Sequence, residues 1–136
     1  MCGIVGYAGK KNVIKNIMTG LKSLEYRGYD SAGIAYINDN SDINILKKEG
    51  PIKNLDKILN YEDEASIGIS HTRWATHGEA NDINSHPHRQ GKITLVHNGI
   101  IENYDVLKKE LIKEGYTFKT NTDTEVAAAV IDNLYK

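Results

Sequence analysis

The sequence predicts an α+β fold in which largely antiparallel β-sheets carry helices on their outer faces. Two observations lead there. Short strand-type apolar runs outnumber the amphipathic segments available to cross them over, and parallel strands require such crossovers. The helical patterns are also scattered among the strands instead of alternating regularly with them. The order of elements reads β-α-β-β-α-β-loop-β-α-(β)-α.

The elements follow from local patterning. Residues 2–8, from Cys2 to Ala8, are apolar and interrupted by glycine, which suits a buried strand. Between Asn12 and Leu24 the apolar positions are Val13, Ile14, Ile17, Met18, Leu21 and Leu24, the spacing of one helix face. Ala32–Ile37 reads as a second buried strand. Ile43–Lys47 is a third, after the turn-rich Asn38-Asp39-Asn40-Ser41-Asp42. Pro51 suits the first turn of a short helix carrying Ile52, Leu55, Ile58 and Leu59. Ser66–Ser70 is a further strand. His71–Gln90 is polar and aperiodic, so it reads as a long loop, and long loops inside small domains are commonly functional. Lys92–His97 is a strand, and Tyr104–Glu114 a helix stopped by Gly115. Thr122-Asp123-Thr124-Glu125 has the form of a capping box opening a last helix through Leu134.

Composition excludes several classes. At 15.2 kDa, with 40% hydrophobic and 26% charged residues, the chain has the makeup of one globular domain. Lysine plus arginine number 17 against 18 acids, a formal net charge of −1, so bulk electrostatics do not favour nucleic acid. The longest apolar run, Val126–Ile131, is too short to span a membrane. The start lacks a signal-peptide pattern: Ile4–Ala8 is broken by Gly6, and Lys10 and Lys11 follow it instead of preceding it. A cytoplasmic location is expected. There is one cysteine, so no internal disulfide can form.

That cysteine is Cys2. Methionine is normally trimmed before a small residue, which would leave Cys2 as the mature N-terminus with a thiol and a free α-amine on one carbon. An α-amine titrates near pH 7.7–8.0 and can act as a base toward the thiol. Gly3 lets a substrate approach the backbone. The competing interpretation is a small buried residue near a frayed end. The five histidines fall between His71 and His97. They show no cysteine pair, no HExxH helix and no other familiar zinc spacing, so hydrogen-bonded loop residues are the simpler interpretation. Arg73 beside Trp74 can grip a carboxylate through its two-pronged guanidinium, or make a surface ion pair. Asn98-Gly99 follows a strand but precedes a helix, which weakens a hairpin. An asparagine side-chain N–H and the next backbone N–H can converge on one developing oxyanion. Asp123 at a helix start complements the helix dipole, and on local grounds needs no further role.

Together these segments resemble one family. They are Cys2-Gly3-Ile4-Val5-Gly6, Leu24–Gly33 (LEYRGYDSAG), His71–Gly78 (HTRWATHG), His86-Pro87-His88, His97–Asn103 (HNGIIEN) and Thr122–Glu125 (TDTE). In this order they look like the glutaminase domain of glutamine–fructose-6-phosphate aminotransferase (isomerising). The match runs from residue 2 to beyond residue 125, and no motif position departs from the pattern. Other class II amidotransferases share the Cys-Gly-Ile start, Asn-Gly and Asp-Thr-Glu, but typically lack the Tyr-Arg-Gly-Tyr-Asp and Trp-Ala-Thr-His forms.

The resemblance implies an N-terminal-nucleophile hydrolase fold, antiparallel sheets sandwiched between helical layers (αββα). It implies Cys2 as nucleophile with its α-amine as base, and Asn98 and Gly99 as the oxyanion hole. Arg73 would hold the glutamine α-carboxylate and Asp123 its α-ammonium, overturning the local reading of Asp123. Trp74, Thr76 and His77 would line the same pocket. Neither metal nor organic cofactor is implied. Glutamine is the implied substrate, with fructose 6-phosphate reached only through sugar-phosphate isomerase domains that residues 1–136 do not contain. The chain is therefore expected to be the N-terminal part of a class II amidotransferase domain, truncated within the sandwich. Its open strand edges would invite self-association, and a homodimer is expected of the full enzyme. The alternatives are another class II amidotransferase, an inactive binding or folding unit and, most remotely, a zinc site.

Overall fold

The computed structural model describes residues 2–27, 30–73 and 83–135. The chain runs β1 (Gly3–Ala8), α1 (Val13–Ser23), a 3₁₀ turn (Glu25–Arg27), β2 (Ser31–Asn38), β3 (Ile43–Glu49), α2 (Ile52–Asp56) and β4 (Ala65–Arg73). It continues through β5 (His88–Gln90), β6 (Ile93–Leu95), α3 (Tyr104–Lys113) and α4 (Asp123–Tyr135). Four strands form one sheet in the order β1-β4-β2-β3, and β5 and β6 form a second. Every pairing is antiparallel, as the pattern of short strands predicts.

An isolated helix of eleven residues is marginal in water, so α1 depends on its packing. Val13, Ile14, Ile17, Met18 and Leu21 recur at helical spacing and are all buried. They meet Ala32, Ile34 and Tyr36 of β2, together with Ile52 and Leu55 of α2. Each large aliphatic side chain buried this way contributes roughly 1.5–3 kcal/mol. A second apolar cluster joins α3 to α4 through Leu111, Val126 and Ala129, flanked by Tyr104, Leu107, Tyr116 and Phe118. Helices α1 and α2 thus cover one face of the large sheet, and α4 covers the small sheet with α3 beside it.

The other face of β2 turns toward the second sheet. There the backbones approach so closely that a Cβ on Gly33 would lie 1.8 Å from the His86 carbonyl oxygen. Only glycine allows that contact. The result is a helix–sheet–sheet–helix stack.

Several local expectations are corrected. The first strand is not buried: Ile4 and Tyr7 are exposed, because β1 is an edge strand paired only with β4. Pro51 sits at the N-cap of α2 and not in its first turn. That helix ends at Asp56, which leaves Ile58 exposed. The predicted 71–90 loop is shorter than expected, because β4 runs on to Arg73 and β5 takes up residues 88–90. No strand forms between α3 and α4. The stop after α3 is a full Schellman closure at Gly115 (φ 102°): Gly115 N–H donates to the Ile112 carbonyl and Tyr116 N–H to that of Leu111.

Candidate active site

Strand periodicity gathers the site. In β4, Ile69, His71 and Arg73 pair with Ala35, Gly33 and Ser31 of β2, and His71 also pairs with Ile4 of β1. Alternation places these residues on one face. It is the face that meets the second sheet, since Gly33 touches His86 there. Cys2 stands two residues before Ile4, so it falls on the same face, at the Arg73 end of β4. The start of the strand is pinned by the Gly3 N–H, which donates to Thr72 Oγ1 at 3.1 Å.

Asn98 reaches back to this strand end from the segment between β6 and α3. Its Nδ2 donates to the Cys2 carbonyl oxygen at 3.2 Å. Its Oδ1 lies 2.7 Å from His71 Nε2. Gly99 follows at φ 140°, a backbone conformation that disfavours any side chain. The predicted pair Asn98-Gly99 therefore sits beside the Cys2 backbone.

Arg73 is only 3% exposed. Burial lowers its pKa, while Asp30, Cys2 and Asp123 act in the opposite direction as nearby negative or potentially negative groups. A guanidinium remains protonated in such a setting. The structure thus brings together four sequence-predicted residues: Cys2, Arg73, Asn98 and Asp123. Asp123, also buried, is the first residue of α4, and its Oδ2 accepts the Ile101 N–H at 2.8 Å. That bond ties the helix start to the chain just beyond Asn98-Gly99. Trp74, Thr76 and His77 lie outside the described residues.

The capping box forms only in half. Thr122 Oγ1 accepts the Glu125 N–H at 3.4 Å, but the Glu125 carboxylate does not return the bond. It accepts instead from the backbone N–H of Lys119 and Thr120, from Thr120 Oγ1 and from Gln90 Nε2, all at 2.8–3.1 Å. Asp132, two turns on, accepts from the Lys92 N–H and the Tyr116 hydroxyl. These two carboxylates lock α4 onto the small sheet and so set the height of Asp123.

The histidines are not simple loop residues. His71, His86 and His88 are buried. His71 and His86 stack with centroids 4.1 Å apart, and His88 meets His86 edge-on at 4.6 Å. Burial pushes His71 down to about 4 and His88 to about 3. It lowers His86 as well, helped by the repulsion that His71 and His88 exert once protonated and by the charges of Arg73 and Lys47. All three rings are therefore neutral at pH 7. Among the described residues no group of three His, Cys, Asp or Glu side chains is arranged to hold a metal.

Two grooves among the described residues lie elsewhere. One runs over β2 and β4 toward Thr94, and another between Lys47 of β3 and Gln90, Thr120 and Glu125. Neither of these two is lined by Cys2. Sequence reasoning gave no individual role to His71, and none to Thr72 or Asp30. Ending β4 at Ser70 hid the signal, since His71 and Arg73 alternate onto one face only if the strand continues.

Two solved structures superpose on nearly the whole chain. The glutamine phosphoribosylpyrophosphate amidotransferase from B. subtilis, complexed with ADP and GMP, gives a TM-score of 0.79 at 28% identity, covering 97% of this chain and 29% of that one. The allosteric regulatory enzyme of purine biosynthesis gives 0.80 at 30% identity with the same coverage. The fold is thus the αββα sandwich of the N-terminal-nucleophile amidotransferases. Residues 44–134 match the family described as "Glutamine amidotransferase domain", and the chain belongs to that family. Curated relatives include the glutamine–fructose-6-phosphate aminotransferases (isomerizing) of Chlorobaculum tepidum, 51% identical over all of this chain, and of Clostridium perfringens, 54% identical over all of it. The chain spans 23% of the length of each.

Proposed function

We propose that this chain is the glutaminase part of a glutamine–fructose-6-phosphate aminotransferase, with residues 1–136 as the N-terminal portion of its amidotransferase domain. The observation that carries this reading is the meeting of Asn98 Nδ2 with the Cys2 backbone, near the buried Arg73 and Asp123. The names of the relatives at 51% and 54% identity favour this acceptor over the phosphoribosylpyrophosphate chemistry of the structural neighbours at 28–30%.

In this reading the α-amine of Cys2, freed by removal of Met1, takes the thiol proton. The thiolate attacks the side-chain amide carbon of glutamine. Asn98 Nδ2 and the Gly99 N–H stabilise the tetrahedral oxygen, and one such donor typically supplies about 3–4 kcal/mol. The carbon–nitrogen bond breaks, the nitrogen takes up a proton and leaves as ammonia, and a thioester remains. Water then releases glutamate and restores the thiol. Arg73 holds the α-carboxylate, Asp123 the α-ammonium, and Trp74, Thr76 and His77 complete the pocket. Delivery of ammonia to fructose 6-phosphate, and dimerisation, belong to the rest of the longer enzyme. Among the described residues no helix is long and apolar enough to cross a membrane.

The test is glutamine hydrolysis by this chain beside Cys2→Ala, with intact mass recorded for both. Activity is expected in the chain that has lost Met1 and absent in Cys2→Ala, whose circular dichroism stays unchanged. Turnover by Cys2→Ala would refute the assignment. Turnover with Met1 still attached would refute the α-amine as base.

A further inference from the structure

We propose that His71 is a positioning residue for the oxyanion site: its Nε2–H, donated to Asn98 Oδ1, holds the Asn98 amide with Nδ2 toward Cys2. This rests on the glutaminase reading and adds to it a residue that the motif comparison left without a role.

The Cys2 carbonyl can only accept, so the Asn98 atom 3.2 Å from it must be the amide nitrogen. Oδ1 then faces His71 at 2.7 Å, and an acceptor at that distance requires a proton on Nε2. The imidazolium would also donate, but burial keeps the ring neutral at pH 7. One tautomer is left, with the proton on Nε2 and Nδ1 bare. Nδ1 is buried and makes no hydrogen bond among the described residues, while the His97 backbone also interacts with the ring and favours its protonated form.

His71 is itself held firmly. Its backbone is paired on both sides, with Ile4 and with Gly33. Its ring lies flat on His86, at an interplanar angle of 19°. The His86 carbonyl in turn rests on Gly33, where no side chain fits. A flipped Asn98 amide would oppose two acceptors at Cys2 and two donors at His71. In the observed orientation Nδ2 has two protons: one goes to the Cys2 carbonyl, and the other can meet an oxyanion formed on the neighbouring sulfur adduct.

The test uses His71→Phe, His71→Gln, Asn98→Ala and the double variant His71→Phe/Asn98→Ala. Loss of a defined amide orientation should lower kcat for glutamine hydrolysis about 10- to 100-fold, below the full loss of an oxyanion donor, with KM unchanged. His71→Gln keeps an N–H donor near the Nε2 position and should recover most of kcat. In the Asn98→Ala background, His71→Phe should cost nothing further. An equal drop in both backgrounds, or a rise in KM at constant kcat, would overturn the positioning role. A readout independent of turnover is the ¹⁵N spectrum of the wild-type His71 ring. The Nε2–H tautomer is expected, and an Nδ1–H tautomer would overturn the proposal whether or not His71→Phe folds. If the wild-type chain fails to hydrolyse glutamine, residues 1–136 are the inactive folding unit and not a working glutaminase by themselves, while the ring spectrum still decides the His71–Asn98 pair.

Discussion

At the scale of single residues, Asp123 is the side chain with two claims on it. Its position at the first turn of α4 and its bond to the Ile101 N–H would satisfy a purely structural carboxylate. Its proximity to buried Arg73 suggests a recognition role. Asp123→Asn separates the two, because an amide oxygen can still accept the Ile101 N–H while the charge is gone. The KM for glutamine should rise roughly 10- to 100-fold, the worth of a hydrogen bond to a charged group, with only a small change in thermal midpoint. An unchanged KM would reduce Asp123 to a helix-start residue. Cys2, Arg73 and Asn98 stand out as candidates in the sequence because each falls in a motif of the family the chain resembles, although each also has a plain structural reading. His71 could not be given its role, because one histidine among five has no distinguishing local signal until the strand register sets it opposite Asn98.

At the scale of elements, α4 is held by its polar contacts as much as by its apolar stripe. Glu125 is buried and accepts from four donor groups that belong to β5 and to the segment before the helix. Glu125→Ala should destabilise the fold by roughly 3–5 kcal/mol, since it leaves those donors buried and unpaired. Urea denaturation measures this, and a loss under 1 kcal/mol would show that the cluster carries little. Gly33→Ala tests the junction of the two sheets in the same assay. Its Cβ meets backbone and not a flexible side chain, so a loss of about 1–3 kcal/mol or more is expected. The helices α1 and α3 could be read directly from apolar spacing and a stop signal. The end of β4 could not: His71, Thr72 and Arg73 are polar and read as loop, yet they are buried. Backbone pairing on both flanks and ring stacking make that burial possible, and neither has a trace in hydropathy.

At the scale of the whole molecule, the stacked histidines make stability depend on pH. Unfolded, each imidazole titrates near 6.5; folded, His71 and His88 do so at about 4 and about 3. Their contribution is fully present above pH 6.5. Below it the unfolded chain binds protons that the folded chain excludes, so stability falls as pH drops toward 4. The slope is about 1.4 kcal/mol per pH unit for each such ring. Unfolding free energies at pH 7 and pH 5 should therefore differ by a few kcal/mol, and His71→Gln should flatten the slope by one proton. A flat profile from pH 7 to 5 would mean that the rings titrate normally. By itself the sequence determined the antiparallel α+β class and the elements with clear periodicity, because spacing is a local property, and through its motif resemblance it pointed to Cys2, Arg73 and Asn98-Gly99 as candidates. Only the tertiary structure decided which histidine serves Asn98, where the Glu125 carboxylate goes and how closely the two sheets approach at Gly33. Those depend on contacts between residues far apart in the chain, whose partners are chosen by register and packing.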